Sequence, residues 1–120
     1  MRQAAVILVL LLLLIVSCVL ISAPPYIEKS FTVNAGAQYT IAVDLKAGQT
    51  VEGYFSISGE ENDIDFYITD SSGGLVYSED VEGSHEFAVE AKDSGIHTLW
   101  FDNSFSWEKS REVTLHYRSR

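Results

Sequence analysis

Tyr39-Thr40-Ile41-Ala42-Val43-Asp44-Leu45 sets a bulky apolar side chain at every second position and a small or polar one between. That period of two marks a strand with one buried and one wet face, because successive side chains on a pleated chain leave opposite sides. The rhythm recurs outward from this stretch. Val51, Gly53, Phe55 and Ile57 alternate with Glu52, Tyr54, Ser56 and Ser58, and Ile64, Phe66 and Ile68 alternate with Asp65, Tyr67 and Thr69. Leu75-Val76-Tyr77, Phe87 with Val89, His97 with Leu99 and Phe101, and Val113 with Leu115 and Tyr117 continue it, after a short first strand around Phe31-Thr32-Val33. These runs predict about eight strands.

The connections carry turn chemistry: Asn34-Ala35-Gly36, Lys46-Ala47-Gly48, Ser58-Gly59, Ser71-Ser72-Gly73-Gly74, Glu82-Gly83 and Asp93-Ser94-Gly95. Asn, Asp and Ser bond their own backbone in tight turns, and glycine accepts the positive φ such turns need. No stretch after the first quarter of the chain has a helical period. Many short strands between tight turns predict an all-β antiparallel sandwich of about eight strands, of jelly-roll type. Its apolar residues suffice for one core, so the expected organisation is an N-terminal membrane segment over 1–23, a spacer over 24–28 and a single domain over 29–120.

The N-terminal segment is apolar from Ala4 to Ile21 except for Ser17. As a helix rising about 1.5 Å per residue it would reach roughly 27 Å, close to the thickness of a bilayer core. Arg2 and the amino terminus carry the only nearby positive charge, which favours a cytoplasmic N-terminus and an extracytoplasmic domain. Three fates stay open. The segment can remain as a single-pass anchor. It can be cleaved as a secretory signal near Ser22-Ala23, although Pro24 makes a poor scissile position. Or Ile15-Val16-Ser17-Cys18, which resembles a lipobox, can direct lipidation of Cys18. Pro24-Pro25 then stops any helix and stiffens the spacer.

The formal net charge is −9, with seventeen acidic residues against eight basic ones. Such a surface repels phosphate backbones and argues against nucleic-acid binding. Cys18 is the single cysteine, so the domain holds no disulfide and depends on its core.

From Gly95 the chain reads Gly95-Ile96-His97-Thr98-Leu99-Trp100-Phe101-Asp102-Asn103, then a serine-containing loop, Lys109, and the alternating Val113-Thr114-Leu115. This ending resembles that of the GOLD (Golgi dynamics) domain: a glycine, an aromatic, an aliphatic residue, Phe-x-Asn, a loop, a basic residue and a last strand. Asp63-Ile64-Asp65-Phe66-Tyr67-Ile68-Thr69-Asp70, followed by Ser71-Ser72-Gly73-Gly74, is similar to that family's middle strands. The resemblance implies a β-sandwich that contacts other proteins, as in the lumenal domains of vesicle cargo receptors. It does not extend to those receptors' cysteine pair, coiled coil or C-terminal span, so it implies the fold and a general binding role.

Candidate binding residues follow from parity. Leu99 and Phe101 take the inward face, which leaves Trp100 pointing outward, while Phe105 and Trp107 lie in a loop after Asn103. Exposed aromatics beside acids can contact a protein partner or stack on sugars. They can equally fold back over an open end of the sandwich. Asn103 is placed to satisfy backbone groups where its strand ends. Glu60, Asp63 and Asp65 form the densest acidic stretch and offer a candidate Ca²⁺ set, without the spacing of an EF-hand loop. His85, His97 and His116 fall on three separate strands and have no zinc-site spacing. There is no Gly-x-Ser-x-Gly elbow and no Gly-rich loop leading into a helix, so no enzyme and no resident cofactor are expected. The leading expectation is a protein-binding module. A carbohydrate-binding sandwich, aided by calcium, is the alternative.

Overall fold

The computed structural model describes residues 23–120. The apolar run, the anchor and signal readings and Cys18 lie outside the described residues, among which no helix is long and apolar enough to cross a membrane. Eight strands follow: β1 (Ile27–Val33), β2 (Gln38–Leu45), β3 (Thr50–Ser58), β4 (Asp63–Thr69), β5 (Leu75–Glu82), β6 (Ser84–Glu90), β7 (Gly95–Asp102) and β8 (Arg111–Ser119). They form two four-stranded sheets, ordered β1-β8-β3-β6 and β2-β7-β4-β5.

The pairing is nested. β4 pairs with β5, β3 with β6, β2 with β7 and β1 with β8, all antiparallel. The chain therefore folds as one long hairpin rolled into two layers, the jelly-roll arrangement expected of eight alternating strands. Only β4 and β5 are both consecutive and in one sheet; each other connection crosses between layers.

The residues assigned inward by alternation meet between the sheets. Phe55, Phe66 and Phe101 are fully buried with ring centroids 5.0 to 5.2 Å apart, and Phe87 joins Phe66 at 4.9 Å. Burying each such ring contributes on the order of 1.5–3 kcal/mol. Gly53 takes an inward position because β8 runs too close for a side chain: a β-carbon there would overlap the His116 carbonyl oxygen. Gly95 opens β7 at a φ of 140°, where a side chain would be strained.

Two strands differ from the expectation. β1 begins at Ile27, inside the stretch read as a spacer, because it pairs along its full length with β8 from Ile27 opposite Tyr117 to Val33 opposite Arg111. The segment before it is fixed as well: Arg118 donates to the Pro24 carbonyl (3.1 Å) and lies 4.1 Å from the Tyr26 ring centroid. β5 extends to Glu82, well past the apolar Leu75-Val76-Tyr77 that suggested it, and Val81 supplies its most deeply buried side chain. Both are edge strands, where only part of each inward face is covered and the alternation weakens.

Connections 34–37, 59–62 and 103–110, together with Gly83, gather at one end of the sandwich. The chain enters β1 and leaves β8 at the other end.

Candidate functional site

The β7–β8 loop carries the most exposed large apolar side chain among the described residues. Trp107 is 94% exposed, while Phe105 is 43% exposed and lies 5.3 Å from the Arg111 guanidinium. A tryptophan so placed leaves its whole ring in water, a cost that packing inside the chain does not offset.

The loop beneath it is built rigidly. Asn103, the first residue after β7, is fully buried and donates from Nδ2 to the carbonyls of Val33 (3.2 Å), Asn34 (3.2 Å) and Lys109 (2.9 Å). Its own amide donates to the Ala37 carbonyl, and its carbonyl accepts from Gly36 and Ser106. One side chain thus ties the β1–β2 turn to both ends of the β7–β8 loop. Its Oδ1 is buried without a partner among the described residues, a cost these bonds offset. Asn103, expected among the binding residues, therefore acts from below the surface as a clamp.

Arg111 supplies the second clamp. Its side chain is 3% exposed, and it donates from Nε to the Asp63 carbonyl (2.8 Å), from Nη2 to Asp63 Oδ1 (2.6 Å), and from Nη1 to the Lys109 carbonyl (2.9 Å) and Ser106 Oγ (3.2 Å). A buried guanidinium persists only where its donors are satisfied in this way. Lys109 Nζ adds an exposed ion pair to Glu61 at 3.1 Å. At the loop's start, Asp102 accepts from the Ser104 amide (2.8 Å) and from Gln38 (3.0 Å). Burial pushes the Asp102 carboxyl up, but the bonds from Ser104 and Gln38 outweigh it and hold the group below its ordinary value. Phe105, Trp107, Glu61 and Glu108 then line one shallow depression with Arg111 and its partner Asp63.

Trp100 stands apart from this loop. It points outward from β7, as parity required, but it is half-buried: its ring stacks on Tyr67 at 5.5 Å and 10°, and its Nε1 donates to Thr69 Oγ1 at 2.9 Å. Of the acidic stretch proposed for calcium, Asp63 is taken by Arg111, Asp65 turns to the outer face of β4 opposite Asp80, and Glu60 is exposed in the β3–β4 connection. Among the described residues, no three His, Cys, Asp or Glu side chains are grouped to hold a metal ion. Sequence reasoning missed Arg111 as a buried residue. The signal was its parity, since 111 falls in register with the inward Val113, Leu115 and Tyr117.

Comparison with known proteins gives a family and a shared architecture. The model of the emp24/gp25L/p24 family/GOLD matches residues 28–120. PliG of Aeromonas hydrophila, a periplasmic lysozyme inhibitor of g-type lysozyme, is similar with a TM-score of 0.59 at 13% identity, over 82% of this chain and 89% of that one. Salmonella Typhimurium PliG gives a TM-score of 0.54 at 17% identity over 82% and 94% of the two chains. The Yersinia pseudotuberculosis-derived mitogen gives 0.52 at 14% identity over 78% and 86%. At such identities these likenesses show the fold alone. A sequence search among curated proteins finds no significant match.

Proposed function

Because this chain belongs to the emp24/gp25L/p24 family of GOLD domains, we propose that it is a protein-interaction module that engages its partner through Trp107 and Phe105. One observation carries the reading: a tryptophan 94% exposed on a loop fixed by buried Asn103 and Arg111. A loop ordered in advance loses little conformational entropy on binding, and a central indole is the side chain most often found to dominate an interface. Glu108 and Glu61 line the same depression, Glu61 paired with Lys109, so the matching surface is an apolar socket with a basic group set to meet Glu108. The apolar run over 4–21 supports attachment to a membrane by a single span, with Arg2 on the cytoplasmic side and the sandwich outside. Secretion and lipidation at Cys18 are the other routes to that compartment.

The alternative, carbohydrate held by Trp100, Phe105 and Trp107 with calcium at Glu60, Asp63 and Asp65, has less support. Trp100 is packed on Tyr67, and Asp63 is paired with Arg111.

A membrane-impermeant crosslinker applied to intact cells that express the full chain tests the leading reading. The expected result is an adduct with a second protein that disappears in Trp107→Ala, with a stability unchanged to within about 0.5 kcal/mol, as for other surface changes, and so a nearly unchanged melting midpoint. An adduct that persists in Trp107→Ala, or a variant whose midpoint falls steeply, overturns it.

A further inference from the structure

The register of the β1-β8-β3-β6 sheet sets Ser30, Thr114, Ser56 and Ser84 in one row across all four strands of its outer face. These are short polar side chains, so the row is low. Glu28, His116, Tyr54 and Glu86 make the next row, and they stand higher. Within it the Tyr54 and His116 rings stack at 4.7 Å and 10°, and Tyr26 meets Tyr54 edge-on at 5.5 Å. Thr32, Glu112 and Ser58 make the row on the other side, where only Glu112 stands above the floor. Two depressions that share Thr114 follow this line across the sheet.

We propose that this trough binds a neutral oligosaccharide. The floor is a line of hydroxyls, each able to donate and accept, which suits a ligand whose own polar groups are hydroxyls. The paired rings give one wall an apolar flank for the C–H groups of a sugar, and Tyr54 is 42% exposed despite lying in a central strand. Three strand spacings make the trough roughly 14 Å long, room for about two or three pyranose rings. Both flanking rows carry carboxylates and neither includes a lysine or arginine, so phosphorylated, sulfated or uronate ligands are repelled. An extended peptide is a poor fit, because the trough crosses the strands and offers side-chain hydroxyls instead of the free backbone ladder a peptide adds to. This face is separate from the Trp107 loop, and the two can fail independently.

The test uses the full chain, isotopically labelled, in a zwitterionic detergent without a sugar head group. It is titrated with maltotriose, cellotriose and chitotriose, and with a galacturonic acid trisaccharide as the anionic probe. Saturable shifts of the Ser30, Ser56, Ser84 and Thr114 amides with at least one neutral probe are expected, with binding at least tenfold weaker for the anionic one. Ser56→Leu fills the trough at an exposed position and should weaken binding at least tenfold. Tyr54→Ala, which strips the wall, gives the same readout should the leucine variant misfold. The proposal is overturned by silence with all three neutral probes at millimolar concentration, by equal response to the anionic one, by shifts confined to the Trp107 loop, or by binding unchanged in the folded variants.

Discussion

The two outer faces of the sandwich are built from the same alternating strands, yet they handle acidic residues in opposite ways. On the β1-β8-β3-β6 face Glu52 accepts from Arg118 (2.8 Å) and Arg120 (2.9 Å), and Glu28 lies 3.6 Å from His116. Hydrogen bonds from Arg118, and after some opposition from burial those from Arg120, hold the Glu52 carboxyl below its ordinary 4.5. On the β2-β7-β4-β5 face Asp102, Asp65 and Asp80 stand in one register row with no base between them. Burial first, then a hydrogen bond shared with Asp80 and the charges of Asp80, Asp102 and Asp63, push Asp65 from 3.8 up to about 6. Alternation decides which residues share a face. Register across strands decides which charges become neighbours, and that is where the two faces part.

The largest effect expected is on the paired face. Gly53→Ala places a β-carbon against the His116 carbonyl and 3.0 Å from the Phe87 ring, so β3 must move off β8 and take Glu52 from Arg118 with it. Overpacking of this kind costs about 1–3 kcal/mol, and the midpoint in a circular dichroism melt should fall by on the order of 10 °C. A midpoint equal to that of the parent chain would show that β3 and β8 have more room than the structure gives them.

Next comes the acidic row. Asp65 binds its proton more tightly folded than unfolded, so its stabilising contribution is complete below 3.8 and is lost as pH rises through about 6. Glu52, Asp70 and Asp102 are shifted downward and act in the opposite sense, losing their contribution only as pH falls below their ordinary values. Between those windows the midpoint should be higher at pH 5 than at pH 7.5. Asp80→Asn removes the facing charge, so it should raise the midpoint at pH 7.5 and flatten the step between pH 4 and 7. A step of unchanged height would mean that Asp80 is not its source.

The smallest effect is Glu52→Gln, which weakens a part-buried contact with Arg118 and an exposed one with Arg120 and should lower the midpoint slightly at pH 7 and less in high salt. Its sign is opposite to that of Asp80→Asn, and melts of the two variants side by side at low and high salt measure the contrast directly. Equal signs would erase the distinction between the faces.

Much of this fold was readable before any coordinates. β3, β7 and even the edge strand β2 announce themselves because the core buries one face of Ile41-Val43-Leu45, Phe55-Ile57 and Leu99-Phe101 completely enough to enforce alternation. β1 and the far half of β5 were obscured because, unlike β2, these edge strands have inward faces that are only partly covered, so Lys29 and Glu79 cost little there. In the candidate site, Trp107 and Phe105 were legible as loop aromatics. Their degree of exposure was not, since it depends on clamps reaching across 70 residues, from Asn103 to Val33, and across 48, from Arg111 to Asp63. The contact of Asp65 with Asp80 was hidden for a related reason: it rests on a register that shifts at the Ile68/Thr69 irregularity, which no local pattern records.

The nested pairing also sets how the molecule bears load. Tension between whatever precedes Ala23 and a partner gripping Trp107 enters at one pole of the sandwich and leaves at the other, parallel to β1 and β8. Seven register pairs, from Ile27 opposite Tyr117 to Val33 opposite Arg111, then strain together in shear instead of peeling open one by one.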